Sequence, residues 1–188
     1  FLFAVFAIAD IIIYIFHYSE YDMNDLFVSY FAVFYIGVCL SFLYLTRVHP
    51  WGAYLVWLSI FSSWGCDVCA YLTGMMIGKH KFTKVSPNKT WEGFIGGVIG
   101  STIIAILMAP YLTPLTLKQS IFVGAALAVA GFFGDVTMSA VKRDFGVKDT
   151  SMLIPGHGGV LDRLDSLIFT APLFYHFIAY TNTIIIPR

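Results

Sequence analysis

Apolar residues run through this chain in long blocks separated by short polar connections. Six blocks can be read, at about 1–17, 26–46, 51–78, 91–109, 120–141 and 161–180. Each is close to the ~20 residues that a helix needs to cross a bilayer. The third is long enough to cross with tilt or to project beyond the lipid, and the first begins at Phe1 already inside its apolar run. With neither an initiator Met nor a basic leader, that start reads as a piece of a longer chain rather than as a signal peptide. The fourth block carries Gly93, Gly96, Gly97 and Gly100, a spacing that permits close helix contact in a membrane. No internal repeat, low-complexity segment or linker interrupts the series. The pattern predicts an all-α integral membrane protein with about six transmembrane helices.

Composition strengthens this reading. Of 188 residues, 59% are hydrophobic and 12% charged, and mean hydropathy is +0.80. A soluble domain carries roughly a quarter of its residues as charges. Net charge is zero, with 11 basic and 11 acidic residues, so the total gives no reason to expect a nucleic-acid partner. The distribution says more. If 79–90 is cytoplasmic, then 18–25 and 142–160 are too. Lys79, Lys81, Lys84, Lys89, Lys142, Arg143 and Lys148 then lie inside, against Arg47, Lys118 and Arg188 outside, as the positive-inside rule requires. Cys39, Cys66 and Cys69 lie in apolar blocks and read as small apolar residues, since the CxxC spacing lacks its redox or zinc context.

Ionisable groups at membrane depth cost at least ~2.5–3.5 kcal/mol each, so a cluster of them calls for a reason. Asp10, Asp67, Glu92, Asp135, Asp162 and Asp165 lie within or at the ends of apolar blocks. All but Asp10 fall toward the cytoplasmic side, so acids from four segments are expected to face one mouth. Asp10 stands apart, with no partner suggested by the sequence. Asp135, Ser139 and Lys142 are spaced i, i+4, i+7, which places acid, hydroxyl and amine on one helical face. That set suits a metal-bound phosphate. Downstream, Pro155-Gly156-His157-Gly158-Gly159 has the glycine density that lets backbone N–H groups approach an anion. Asp162 and Asp165 follow at i, i+3. Oxygen ligands without Cys or paired His favour Mg²⁺ over zinc. In the loop 84–93, Ser86 or Thr90 is expected to cap the next helix, whose N-terminus favours phosphate. No GxxxxGK[ST] occurs, which excludes a P-loop.

Ser139-Ala140-Val141-Lys142-Arg143, Lys148-Asp149, and Pro155 through Asp165 closely resemble the signature of the phosphatidate cytidylyltransferase (CDP-diacylglycerol synthase) family. Asp67 with Ala70-Tyr71 and Gly74, and Ser86-Pro87-Asn88-Lys89-Thr90-Trp91-Glu92-Gly93, are similar to it as well. The resemblance runs from about Asp67 to Ser166. It divides the chain into N-terminal transmembrane helices, 1–66, and a catalytic transmembrane region, 67–188.

The resemblance implies transfer of a cytidylyl group from CTP to phosphatidate with release of pyrophosphate, in phospholipid biosynthesis. It further implies a homodimer in the membrane lipid whose active site faces the cytoplasm, and Mg²⁺ as cofactor, with room for a second cation. It makes Asp135, Asp162, Lys142 and Arg143 catalytic, and Asp135, Asp162, Asp165 and Asp67 metal ligands. Substrate binding falls to Ser86, Lys89, Thr90, Ser139, Lys148, His157, Gly158, Gly159 and Arg163. His157 either positions a phosphate or metal-bound water, or shapes the glycine loop. Two rivals remain at this stage. One is a CTP-dependent lipid or polyprenol kinase. The other is a cation or lipid transporter, against which stand the lack of repeats and of paired broken helices.

Overall fold

The computed structural model describes residues 2–147, 150, 151, 159 and 161–185, without the side chains at 2, 112, 163 and 182–185. All six apolar runs are helical. The first forms α1 (Leu2–Phe16). The second is a continuous rod made of α2 (Met23–Ala32), a π segment (Val33–Val38) and α3 (Cys39–Val48). The others form α4 (Gly52–Ile77), α5 (Trp91–Leu112), α6 (Leu117–Asp144) and α7 (Leu161–Ile185). Among the described residues, only an isolated antiparallel bridge between Lys81 and Thr90 departs from helix, turn and coil. The chain is an all-α membrane protein. Residue 67 lies within α4, so the motif-bearing part and the part before it share a helix.

Polar residues Asp22, Thr90 and Thr116 cap the starts of α2, α5 and α6. Thr116 and Gln119 form a reciprocal cap on α6: the Gln119 amide donates to Thr116 Oγ1 (3.4 Å), and the Thr116 amide to Gln119 Oε1 (2.8 Å). Such caps satisfy amides that a helix start would otherwise leave bare. Four stretches among the described residues are long and apolar enough to cross a bilayer: Met23–Val48, Gly52–Ile77, Trp91–Tyr111 and Leu117–Asp144. Phe3–Phe16 is apolar but shorter. The helix α7, with 25 residues, has the length but is not among the four. Polar residues along it, among them His176 and Asn182, lower its hydropathy. It lies against α6, α3 and α4 and buries Asp165, Ser166, Thr170 and Thr181 there.

In lipid, helices associate through close packing and interhelical hydrogen bonds rather than through hydrophobic expulsion. The most extensive contact joins α4 to α5. There the glycine row meets small residues: a Cβ at Gly96 would collide with the Thr73 side chain, and one at Gly100 with Cys69. Hydrogen bonds tie the next pairs, Ser101 Oγ to Gly124 O (3.0 Å) between α5 and α6, and Cys66 Sγ to Ala128 O (3.7 Å) between α4 and α6.

The bundle interior changes character along its axis. At the end where α4 starts and α5 stops, Leu55, Leu58, Ala105, Ala109, Val123, Leu127, Phe174 and Ile178 form an apolar core. Farther along, the buried residues become Ser59, Ser62, Ser63, Ser166 and Thr170. Asp67 and Asp165 follow, where α4 and α6 end and α5 and α7 begin.

Candidate active site

The connection between α4 and α5 is a compact hairpin. The Trp91 amide donates to His80 O (3.0 Å), Phe82 N to Lys89 O (2.9 Å) and Lys89 N to Ser86 O (3.0 Å). Thr90 then caps α5, its hydroxyl accepting from the Gly93 amide at 3.1 Å. Phe82 fastens the hairpin to its neighbours, with ring centroids 4.5 Å from Trp91, 4.8 Å from Phe132 and 5.9 Å from Phe94. Docked this way, the hairpin delivers Lys89 to α6. Its ammonium lies 2.6 Å from Asp135 Oδ2, 3.5 Å from the Phe132 carbonyl and 4.5 Å from the centre of the Phe132 ring.

A second pair closes the α6–α7 end. Lys142 Nζ donates to Asp162 Oδ1 at 2.8 Å. Asp162 Oδ2 accepts from the Thr150 amide and hydroxyl, both at 2.9 Å, and from the Gly159 amide at 2.8 Å. The chain can turn away from α6 because Gly146 adopts φ +68°. The amide after it, Val147 N, returns to Lys142 O at 2.9 Å, a left-handed helix end that glycine takes at little cost.

Between the two pairs lie Asp67 of α4 and Asp165 of α7. Ser166 Oγ donates to Asp67 Oδ2 (3.4 Å) and itself accepts from Ser63 Oγ (3.1 Å), while the Ser166 amide caps Asp165 Oδ1 at 2.7 Å. Asp67, Asp135 and Asp165 are near enough to act on one another's charge. Beside them opens a cavity of about 380 Å³, lined by Asp67, Tyr71, Gly74 and Met75 of α4, by Ser86, Asn88 and Lys89 of the hairpin, and by Phe132 and Asp135 of α6. That volume falls in the range of small-molecule sites. An apolar wall with a lysine and two carboxylates suits an anion accompanied by a cation.

Residues 1–181 match the model of the cytidylyltransferase family. The chain belongs to that family. Among its relatives is the uncharacterized protein YnbB of Escherichia coli strain K12, 51% identical over 130 residues, or 69% of this chain and 44% of that protein. A phosphatidate cytidylyltransferase of Synechocystis is 42% identical over the same length and shares. One from Staphylococcus aureus is 40% identical over 158 residues, 82% of this chain and 60% of that protein. The chain therefore spans 44% to 60% of the length of these relatives.

Within this cytidylyltransferase-family chain, the structure draws together most of the residues that the motifs single out. Asp67, Ser86, Lys89, Thr90 and Asp135 line the cavity, and Ser139 Oγ donates to Asp135 Oδ1 at 3.4 Å. Lys142, Asp162 and Gly159 form the second cluster. Arg143 is exposed, and its guanidinium donates to the Val147 carbonyl at 3.2 Å, bracing the helix end. Lys148, His157 and Gly158 lie outside the described residues, as does the Arg163 side chain.

Glu92, expected to face the common mouth, is bound by His80, whose Nδ1 lies 2.6 Å from its Oε1. The hairpin folds His80 over the first turn of α5, and no periodicity in the sequence announces that. Ser166, which donates to Asp67, and Ser63, which donates to Ser166, were not singled out either. Their signal was hydroxyls at interior helix positions close to an acid.

The donor set fits a hard divalent cation. Of the four acids expected to hold metal, Asp67, Asp135 and Asp165 offer carboxylate oxygens from three helices, the ligand type that Mg²⁺ takes, while both oxygens of Asp162 already accept from Lys142, Thr150 and Gly159. Among the described residues, no three His, Cys, Asp or Glu side chains already stand grouped as metal ligands. Asp135 is instead committed to Lys89.

Proposed function

We propose that this chain forms the catalytic part of a phosphatidate cytidylyltransferase, which joins CTP to phosphatidate and releases pyrophosphate. One observation carries the reading beyond family membership. Two lysine–aspartate pairs, Lys89–Asp135 and Lys142–Asp162, stand beside a third and a fourth carboxylate at the end of the bundle where a cavity opens. Cations for phosphates and acids for a metal are thus both at hand. The Synechocystis and Staphylococcus aureus relatives, both phosphatidate cytidylyltransferases, support the same substrates.

In this reading the phosphatidate phosphate forms a bond to the α-phosphorus of CTP, the bond from that phosphorus to the bridging oxygen breaks, and pyrophosphate departs. The nucleophile is already an anion, so no general base is needed. The task for the protein is to position two polyanions and neutralise their charge. Lys89 and Lys142 would bind phosphate oxygens, and Thr90 would fix the start of α5, whose first amides point to the same end. Asp67, Asp135 and Asp165 would hold Mg²⁺, which supplies charge neutralisation and orientation for the phosphates when bound. The site would face the cytoplasm, the side from which CTP comes, and the enzyme would act as a homodimer in its bilayer.

The test uses the intact parent protein with phosphatidate, Mg²⁺ and CTP labelled at the α-phosphate. Label passing into the lipid phase, and ceasing to pass with EDTA, is the expected result. Label left in water as CDP would replace this reading with a lipid kinase, and label left as CTP would remove the enzymatic reading.

A further inference from the structure

Asp135 and Lys89 make the closest ion pair in the cavity, at 2.6 Å, and this closeness has a chemical consequence. Lys89 holds Oδ2 of Asp135 and the Ser139 hydroxyl donates to Oδ1 at 3.4 Å, so a Mg²⁺, which binds oxygen at roughly 2.0–2.1 Å, would have to share this carboxylate with the ammonium. Two cations so near one another repel, so Lys89 and a divalent ion compete for Asp135.

The pair is not required to hold the hairpin in place. Lys89 is fixed through its backbone, which bonds Ser86 and Phe82, and the Phe82 ring is wedged among Trp91, Phe94 and Phe132. The lysine stem is flexible, and its head has other partners within reach in the Phe132 carbonyl and ring. Asp135, for its part, has a side chain 30% exposed, so it is not stranded in a dry interior when the ammonium leaves. The contrast with the second pair is informative. Asp162 is 9% exposed and holds three further donors from Thr150 and Gly159, so it is built to stay closed.

We propose that Lys89 is an exchangeable counter-ion that couples nucleotide entry to cation binding. Its ammonium is paired directly with Asp135. When a nucleoside triphosphate enters the cavity, the ammonium moves to a phosphate oxygen, and Asp135 becomes free for the divalent cation that accompanies the nucleotide. The site then resists filling with metal alone. This inference rests on the reading of the cavity as a nucleotide and cation site, and it makes Lys89 a positioning residue for Asp135 as well as a phosphate ligand.

The test is a titration of the detergent-purified parent protein with Mn²⁺ in the absence of nucleotide, read by the electron paramagnetic resonance signal of free Mn²⁺. Lys89→Met should bind Mn²⁺ at least fivefold more tightly than wild type. Lys89→Arg, which keeps a cation on Asp135, should stay within twofold of it. Adding Asp135→Asn to Lys89→Met should erase the gain. Melting temperatures within a few degrees of wild type establish that the variants are folded, and Lys89→Gln replaces Lys89→Met if the latter is not.

A Lys89→Met protein that binds Mn²⁺ no better than wild type would overturn the exchange, as would a gain that survives Asp135→Asn or a set in which no variant binds Mn²⁺. The label-transfer assay separates this from the reaction itself. Transfer by wild type without the Mn²⁺ gain removes the exchange alone, whereas the gain without transfer removes the proposed reaction and leaves standing only the competition of Lys89 and a divalent cation for Asp135.

Discussion

Four donors converge on the Asp162 carboxylate: the Lys142 ammonium, the Thr150 amide and hydroxyl, and the Gly159 amide. An asparagine at this position has one oxygen in place of two, and its amide nitrogen would face donors on whichever side it turned. Leaving the half-buried Lys142 or the buried Gly159 amide without its acceptor costs about 1–3 kcal/mol. Asp162→Asn is therefore expected to lose turnover and also to melt several degrees below wild type. Asp135→Asn should lose turnover with a melting temperature close to wild type, because the Asp135 side chain is more exposed. Thermal melts in detergent beside the label-transfer assay check both. Equal melting temperatures would mean that Asp162 does not anchor the chain between α6 and α7. The sequence alone placed Asp135, Ser139 and Lys142 on one helical face, and Ser139 does reach Asp135. It could not show that Lys142 turns to Asp162 or Lys89 to Asp135, because pairs between helices depend on how the helices pack rather than on spacing within one of them.

Helix α5 is held against α4 by an absence of side chains. Gly96 has no room for a Cβ beside Thr73, and at Gly97 a Cβ would stand 2.9 Å from Cys66 Sγ. Since α5 carries the hairpin's end and Thr90, any widening of this contact would shift Lys89 relative to α6. Gly96→Leu is expected to destabilise by about 1–3 kcal/mol through overpacking and to lower the affinity for CTP. A melt paired with a CTP binding titration measures both effects, and a variant with unchanged melting and binding would show the contact to be loose. At this scale the sequence was most legible, because long apolar blocks translate directly into helices. The run read as 51–78 is α4 at Gly52–Ile77, and the run read as 91–109 is α5 at Trp91–Leu112. Three features were not visible. The π segment at Val33–Val38 leaves no mark on hydropathy, the hairpin fastened by Phe82 depends on rings from two other helices, and the protein-facing role of α7 depends on which neighbours surround it.

The whole molecule is polarised. The end that carries the cavity also carries Lys79, Lys81, Lys84, Lys89, Lys142 and Arg143, while Arg47 and Lys118 lie toward the other. A bilayer protein in which basic residues and a polar cavity share an end is expected to direct that end to the cytoplasm, which is where a soluble nucleotide would have to enter. Lys84 and Lys118 are both exposed and lie outside the two clusters of paired charges, so each can report its side without disturbing the site. In a parent protein whose Cys39, Cys66 and Cys69 are replaced by Ala, Lys84→Cys should react with a membrane-impermeant maleimide only after the cells are permeabilised. Lys118→Cys should react in intact cells. The reverse pattern would turn the molecule over in the membrane. A cavity on the outer face would then have no access to cytoplasmic CTP, and the proposed reaction would fail for want of substrate even with every lysine and aspartate in place.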